Sequence, residues 1–159
     1  MSKSASAGAH KDGARQDAEI RLGELEKHLG YFVRRLQHWI FRDVNAALAA
    51  IDLDVIGYSI LETIAANRGA TQIAIAGALG IERARMVGLL DGLQRAGLIV
   101  RERAEHDRRA HALGLTPHGR MMLKKANAAV AAHEKRVARR LGAENYRRAL
   151  AALSRFESD

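Results

Sequence analysis

The sequence predicts a mainly α fold with one small β-hairpin, set between long helices at both ends. Apolar residues recur at three- and four-residue steps over most of the chain after residue 20, and only the stretch between Gly97 and Thr116 changes to a strand-like pattern. One proline and three phenylalanines, with abundant Ala, Leu and Arg, favour long helices over a sandwich or barrel. At 159 residues there is room for one core and not for two.

Residues 1–18 are rich in Ser, Ala, Gly, Lys and Asp without apolar periodicity, so they are expected to form a flexible tail before a single domain over 19–159. From Ile20, the positions Leu22, Leu25, Leu29, Phe32, Leu36, Trp39, Ala47, Leu48 and Ile51 predict one helix of about eight turns. Asp54 is placed to N-cap a second helix carrying Tyr58, Leu61, Ile64 and Ala65, which ends at Asn67-Arg68-Gly69. Thr71 caps a short third helix through Leu79, and Gly80 stops it. A fourth helix buries Met86, Leu89, Leu90 and Leu93 and ends at Gly97; two helices joined by a short Gly-containing turn form a helix-turn-helix. Leu98-Ile99-Val100 reads as a strand, residues 104–109 as a charged loop and 110–115 as the returning strand of a wing. Thr116-Pro117 supplies an N-cap and a first-turn proline for a long helix to Leu141. Gly142 breaks it, and a last helix uses Tyr146, Leu150, Leu153 and Phe156.

The formal charge of +8 raises polyanions among the partners to consider. The absence of cysteine removes disulfides, thiolate catalysis and cysteine-based metal sites. No apolar run approaches the ~18 residues of a membrane span, which leads us to expect a cytoplasmic protein with no membrane partner. None of the seven histidines pairs at the spacing of a zinc helix motif, and there is no nucleophile elbow, phosphate loop or dinucleotide fingerprint. The expectation is therefore a non-enzyme without metal or cofactor.

The stretch 53–123 resembles the MarR family of winged helix-turn-helix regulators. The resemblance rests on Asp107-Arg108-Arg109 followed by Leu115-Thr116-Pro117-His118-Gly119-Arg120, and on Gly80-Ile81 and residues 93–98 around the recognition helix. Two further segments, 30–37 and 80–85, are similar to regulators of hydroxycinnamate catabolism that respond to aryl-CoA thioesters. The resemblance implies a winged helix-turn-helix with N- and C-terminal dimerisation helices, over 19–52 and 117–159, flanking a DNA-binding lobe over 53–116.

On the fourth helix Ala84, Gly88, Asp91 and Arg95 project opposite the apolar face, and the small Ala84 and Gly88 allow close approach to base edges. Arg85 is expected to read a base and Arg83 to reach a base or a phosphate. Thr71 and Gln72 are candidate phosphate contacts. In the wing, the resemblance makes Arg109 the tip residue, held by Asp107, with Arg108 and Arg103 on phosphates. Glu82 departs from the small polar residue that the family often carries at the start of the fourth helix, and Val87-Gly88 replaces a more polar pair.

Apolar stripes at both ends of the sequence exceed what one subunit can cover and point to a homodimer, hence to an imperfectly palindromic operator in double-stranded DNA. Tyr31, Arg34, Arg35 and His38 lie off the main stripe of the first helix and form a candidate site for a small aromatic or aryl-CoA effector. Together these readings describe a repressor released by such an effector. Two alternatives share the composition: an architectural DNA-binding protein with little sequence preference, and a winged-helix protein-interaction module.

Overall fold

The computed structural model describes residues 20–103 and 111–156. The expected tail and the wing loop at 104–109 lie outside the described residues. A 3-10 turn at Gly23–Lys27 precedes α1 (Leu29–Ala49), α2 (Val55–Ala66), α3 (Gln72–Ala78), α4 (Arg83–Arg95), β1 (Ile99–Arg103), β2 (His111–Leu115), α5 (Pro117–Leu141) and α6 (Ala143–Leu153). This is the mainly α fold with one hairpin that the periodicity predicts.

Side-chain caps start α2, α3 and α5. The Asp54 carboxylate accepts from the Gly57 amide at 2.6 Å, the Thr71 hydroxyl from Ala74 at 3.3 Å and the Thr116 hydroxyl from Gly119 at 2.8 Å. The α3–α4 turn passes through Gly80 at φ +62°, a conformation that side chains with a Cβ adopt at a cost. Leu48, Ile60, Leu61, Ile64, Ile75, Met86, Leu90 and Ile99 are fully buried, so α1, α2, α3, α4 and β1 share one core. Hydrophobic burial of this kind contributes about 1.5–3 kcal/mol per large side chain.

The first helix is shorter than its periodicity suggests. Instead of eight turns from Ile20, α1 has 21 residues, and the chain leaves helical geometry at His28 (φ −101°, ψ 121°). Leu25 and Leu29 are 47% and 78% exposed, so the N-terminal part of the stripe meets no packing surface among the described residues. Without such a surface an amphipathic segment lacks the tertiary burial that supplies most helical stability. Phe156, read as part of the last stripe, lies beyond the end of α6.

The wing is an antiparallel pair with Ile99 opposite Leu115 and Arg103 opposite His111. It is pinned to the lobe twice. Leu113 donates its amide to the Ala70 carbonyl at 3.0 Å beside a Thr71–Ala112 bridge, and Arg101 of β1 pairs with Asp91 of α4 at 2.7 Å. Asp91 therefore serves the α4–wing junction.

The long helices α1 and α5 are joined through a polar cluster. His133, 1% exposed, places Nδ1 2.6 Å from the Asp43 carboxylate oxygen Oδ2, which also accepts from Arg136 Nε at 3.0 Å and Nη2 at 2.7 Å. An ionised carboxylate only accepts, so Nδ1 carries the proton. Trp39 stacks on His133 at 6.3 Å between centroids, and the Arg140 guanidinium lies 5.0 Å from the Trp39 ring centre. The Arg136 hydrogen bonds first, and the His133 bond second, hold the Asp43 carboxyl below its ordinary range. A carboxyl depressed in the folded state contributes stability above its unfolded pKa of about 3.9, and that contribution is lost as pH falls through the folded value. Urea unfolding from pH 6 to pH 2.5 should therefore show the wild type more stable than Asp43→Asn at pH 6, with the gap closing below about pH 4. A gap constant over that range would contradict the assignment.

Candidate nucleic-acid interface

Helix α4 presents the basic surface nearest the helix-turn-helix angle. Its N-cap, Glu82, makes no side-chain capping bond, and no acidic residue stands in the first turn. Arg83, Ala84, Arg85 and Gly88 are all exposed, while Met86, Leu90 and Leu93 are buried, which reproduces the two faces of the helical projection. Among the described residues neither arginine forms an ion pair. Among the described residues a Cβ built on Gly88 would meet nothing within 4 Å, so their packing does not demand a glycine there.

Thr71 and Gln72 stand across the angle from α4. The Thr71 hydroxyl is engaged as the α3 cap and retains its proton for donation. Gln72 meets Arg83 and Ala84 around a cleft of about 290 Å³ between α3 and α4. Thus five of the candidate DNA contacts, Thr71, Gln72, Arg83, Ala84 and Arg85, gather at one helix-turn-helix, with Gly88 one turn on from Ala84. Arg103 ends β1. Asp107, Arg108 and Arg109 lie outside the described residues.

The effector candidates share one side of α1. At 100° per residue Tyr31, Arg34, Arg35 and His38 fall within an arc of roughly 100°. The Arg35 guanidinium lies 5.6 Å from the Tyr31 ring centre, and Tyr31 meets Phe32 edge to face at 5.4 Å. Arg34 and His38 line an open cleft of about 470 Å³ together with Gln37, Phe41, Arg42 and Asn45. Phe41, 48% exposed, and Arg42 are additions to the sequence reading. Their spacing of seven from Arg34 and four from His38 was the available signal, since both intervals keep a residue on one helical face. Trp39, read as a core residue, is half-buried against α5.

Comparison with known proteins identifies the architecture. The MarR family model matches residues 51–110. A protein of Thauera aromatica assigned to transcriptional regulation of the hcr operon is 34% identical over 114 residues, 71% of this chain and 69% of its own length. The chain belongs to the MarR family. Among solved structures, the transcriptional repressor CouR bound to a 23-mer DNA duplex is 40% identical with a TM-score of 0.83, covering 86% of this MarR chain and 97% of its own. CouR bound to p-coumaroyl-CoA is 39% identical with a TM-score of 0.77, covering 86% and 96%. These neighbours agree with the subgroup that residues 30–37 and 80–85 resemble. No helix among the described residues is long and apolar enough to cross a membrane.

Proposed function

We propose that this chain is a dimeric, sequence-specific DNA-binding repressor, active in the cytoplasm and without enzymatic activity, that releases a palindromic operator when an aryl-CoA thioester binds. The observation that carries the reading is the bare basic face of α4, presented by a fold that superposes with a TM-score of 0.83 on a repressor bound to DNA. Residues 53–116 act as the DNA-binding lobe and residues 19–52 and 117–159 as dimerisation helices. The latter leave Leu29, Phe32, Val33, Leu150, Leu153 and Phe156 between 45% and 78% exposed, a surface that a second copy would bury.

In this reading Arg85 meets a base edge, and Ala84 and Gly88 let the helix axis approach. Arg83, Thr71, Gln72, Arg103 and Arg108 hold phosphates, and Arg109, steadied by Asp107, enters the minor groove. The effector's aromatic group docks beside Tyr31 and Phe41, and Arg34, Arg35 and His38 take its phosphates. A bound polyanion there disfavours the DNA-bound state by repulsion or by fixing the lobes at a spacing that misses successive grooves.

Selection of bound sequences from random DNA tests the assembly and the specificity together. It should return an imperfect palindrome whose half-site centres lie about one helical turn, roughly 34 Å, apart. Enrichment of no sequence would favour an architectural role, and enrichment of a single half-site would contradict the dimer.

A further inference from the structure

The cleft between α3 and α4 contains apolar surface that neither the core nor the arginines explain. Ile73, the second residue of α3, is 59% exposed and Val87, one turn along α4 from Ala84, is 43% exposed. Both line the cleft of about 290 Å³ with Gln72, Arg83 and Ala84, and Ala76, 2% exposed, forms its floor. Two branched aliphatic side chains left in water on a soluble lobe forgo roughly 25 cal/mol per Å² of apolar area. They stand here beside Arg83, on a chain of formal charge +8. The occupant that suits an apolar notch with a cationic, amide-bearing rim is itself anionic and carries a small apolar knob. In the major groove of DNA the 5-methyl group of thymine is such a knob, projecting between base edges that Arg and Gln can hydrogen-bond.

We propose that Ile73 and Val87 form a receptor for a thymine 5-methyl group in each half-site of the operator. The proposal rests on the DNA-binding reading and names what part of that surface recognises. Ala84 and Ala76 leave the space, Ile73 and Val87 supply the walls, and Gln72 and Arg83 hold the phosphates beside it.

The test compares thymine with uracil, which lacks only that methyl. After the operator is obtained by selection, each thymine is replaced in turn by uracil and affinity is measured for wild type, Ile73→Ala/Val87→Ala and the isosteric Val87→Thr. One thymine per half-site should cost the wild type about fourfold on replacement, and about fifteenfold when both half-sites carry uracil, the effect of burying one methyl group. The double alanine variant should bind the thymine and uracil duplexes equally, and Val87→Thr should show a reduced preference. Both positions are exposed, so neither change enters the core. An operator on which no thymine-to-uracil change matters would overturn the proposal while leaving the repressor reading intact. A thymine preference that persists in the double variant would also overturn it. Failure to select any operator would overturn both readings.

Discussion

Replacing Gly119 with alanine should destabilise the protein by about 3 kcal/mol, a fall of roughly 6–12 °C in Tm. Gly119 lies in the first turn of α5, where the helix is stitched to the α4–β1 junction. The Thr116 amide donates to the Leu98 carbonyl at 3.1 Å, the Thr116 hydroxyl donates to the Gly97 carbonyl at 2.6 Å, and the same hydroxyl accepts from the Gly119 amide. This draws α5 so close that a Cβ on Gly119 would stand 1.9 Å from the Leu98 carbonyl oxygen and 2.9 Å from its carbon. Backbone atoms cannot rotate away as a side chain does, so the turn before the wing must shift and its hydrogen bonds lengthen. Gly77→Ala is the control: it stands in a helix, meets nothing within 4 Å, and should raise stability by up to about 1 kcal/mol. A Gly119→Ala protein melting within about 2 °C of wild type would show that α5 does not dock in this way.

Replacing Arg85 with alanine should relax base preference at one position in each half-site by about 1–3 kcal/mol, or roughly 5- to 150-fold. Arg85 is exposed in the first turn of α4, and its neighbours Ala84 and Gly88 add no bulk to hold the helix off the bases. A guanidinium meeting guanine O6 and N7 through two parallel bonds loses both when the wrong base is present. Arg83→Ala, if that residue holds phosphate, should instead weaken all sequences alike and flatten the salt dependence by about one phosphate equivalent. Binding to every sequence by Arg85→Ala at wild-type strength and preference would move base reading to another residue.

Local chemistry made much of the fold readable in advance. Asp54, Thr71 and Thr116 each cap the helix that the sequence assigns to them, because a side-chain oxygen three residues before an unpaired amide acts without help from the rest of the chain. The recognition helix was equally legible, its buried face being fixed by Met86, Leu90 and Leu93 at helical spacing. Long-range relations were not. Asp43 and His133 are 90 residues apart, and nothing local marks them as partners. Asp91 projects opposite the apolar face of α4, but nothing local marks Arg101, ten residues on, as the partner of its carboxylate. The early break at His28 was hidden for a related reason: periodicity records an apolar face and not whether anything in the same subunit covers it. The apolar notch escaped notice because Ile73 and Val87 belong to different helices and converge only through the turn at Gly80.

The most direct test of the account is operator affinity measured with and without p-coumaroyl-CoA, alongside feruloyl-CoA, free p-coumarate and CoA. If the protein is a repressor released by an aryl-CoA, the thioester should bind more tightly than either half of the molecule. It should also weaken operator binding at least tenfold, which requires about 1.4 kcal/mol of preference for the DNA-free state. By the same linkage, saturating operator should weaken thioester binding by an equal factor. A thioester that binds no better than CoA or p-coumarate, or that binds and leaves operator affinity unchanged, would contradict the account.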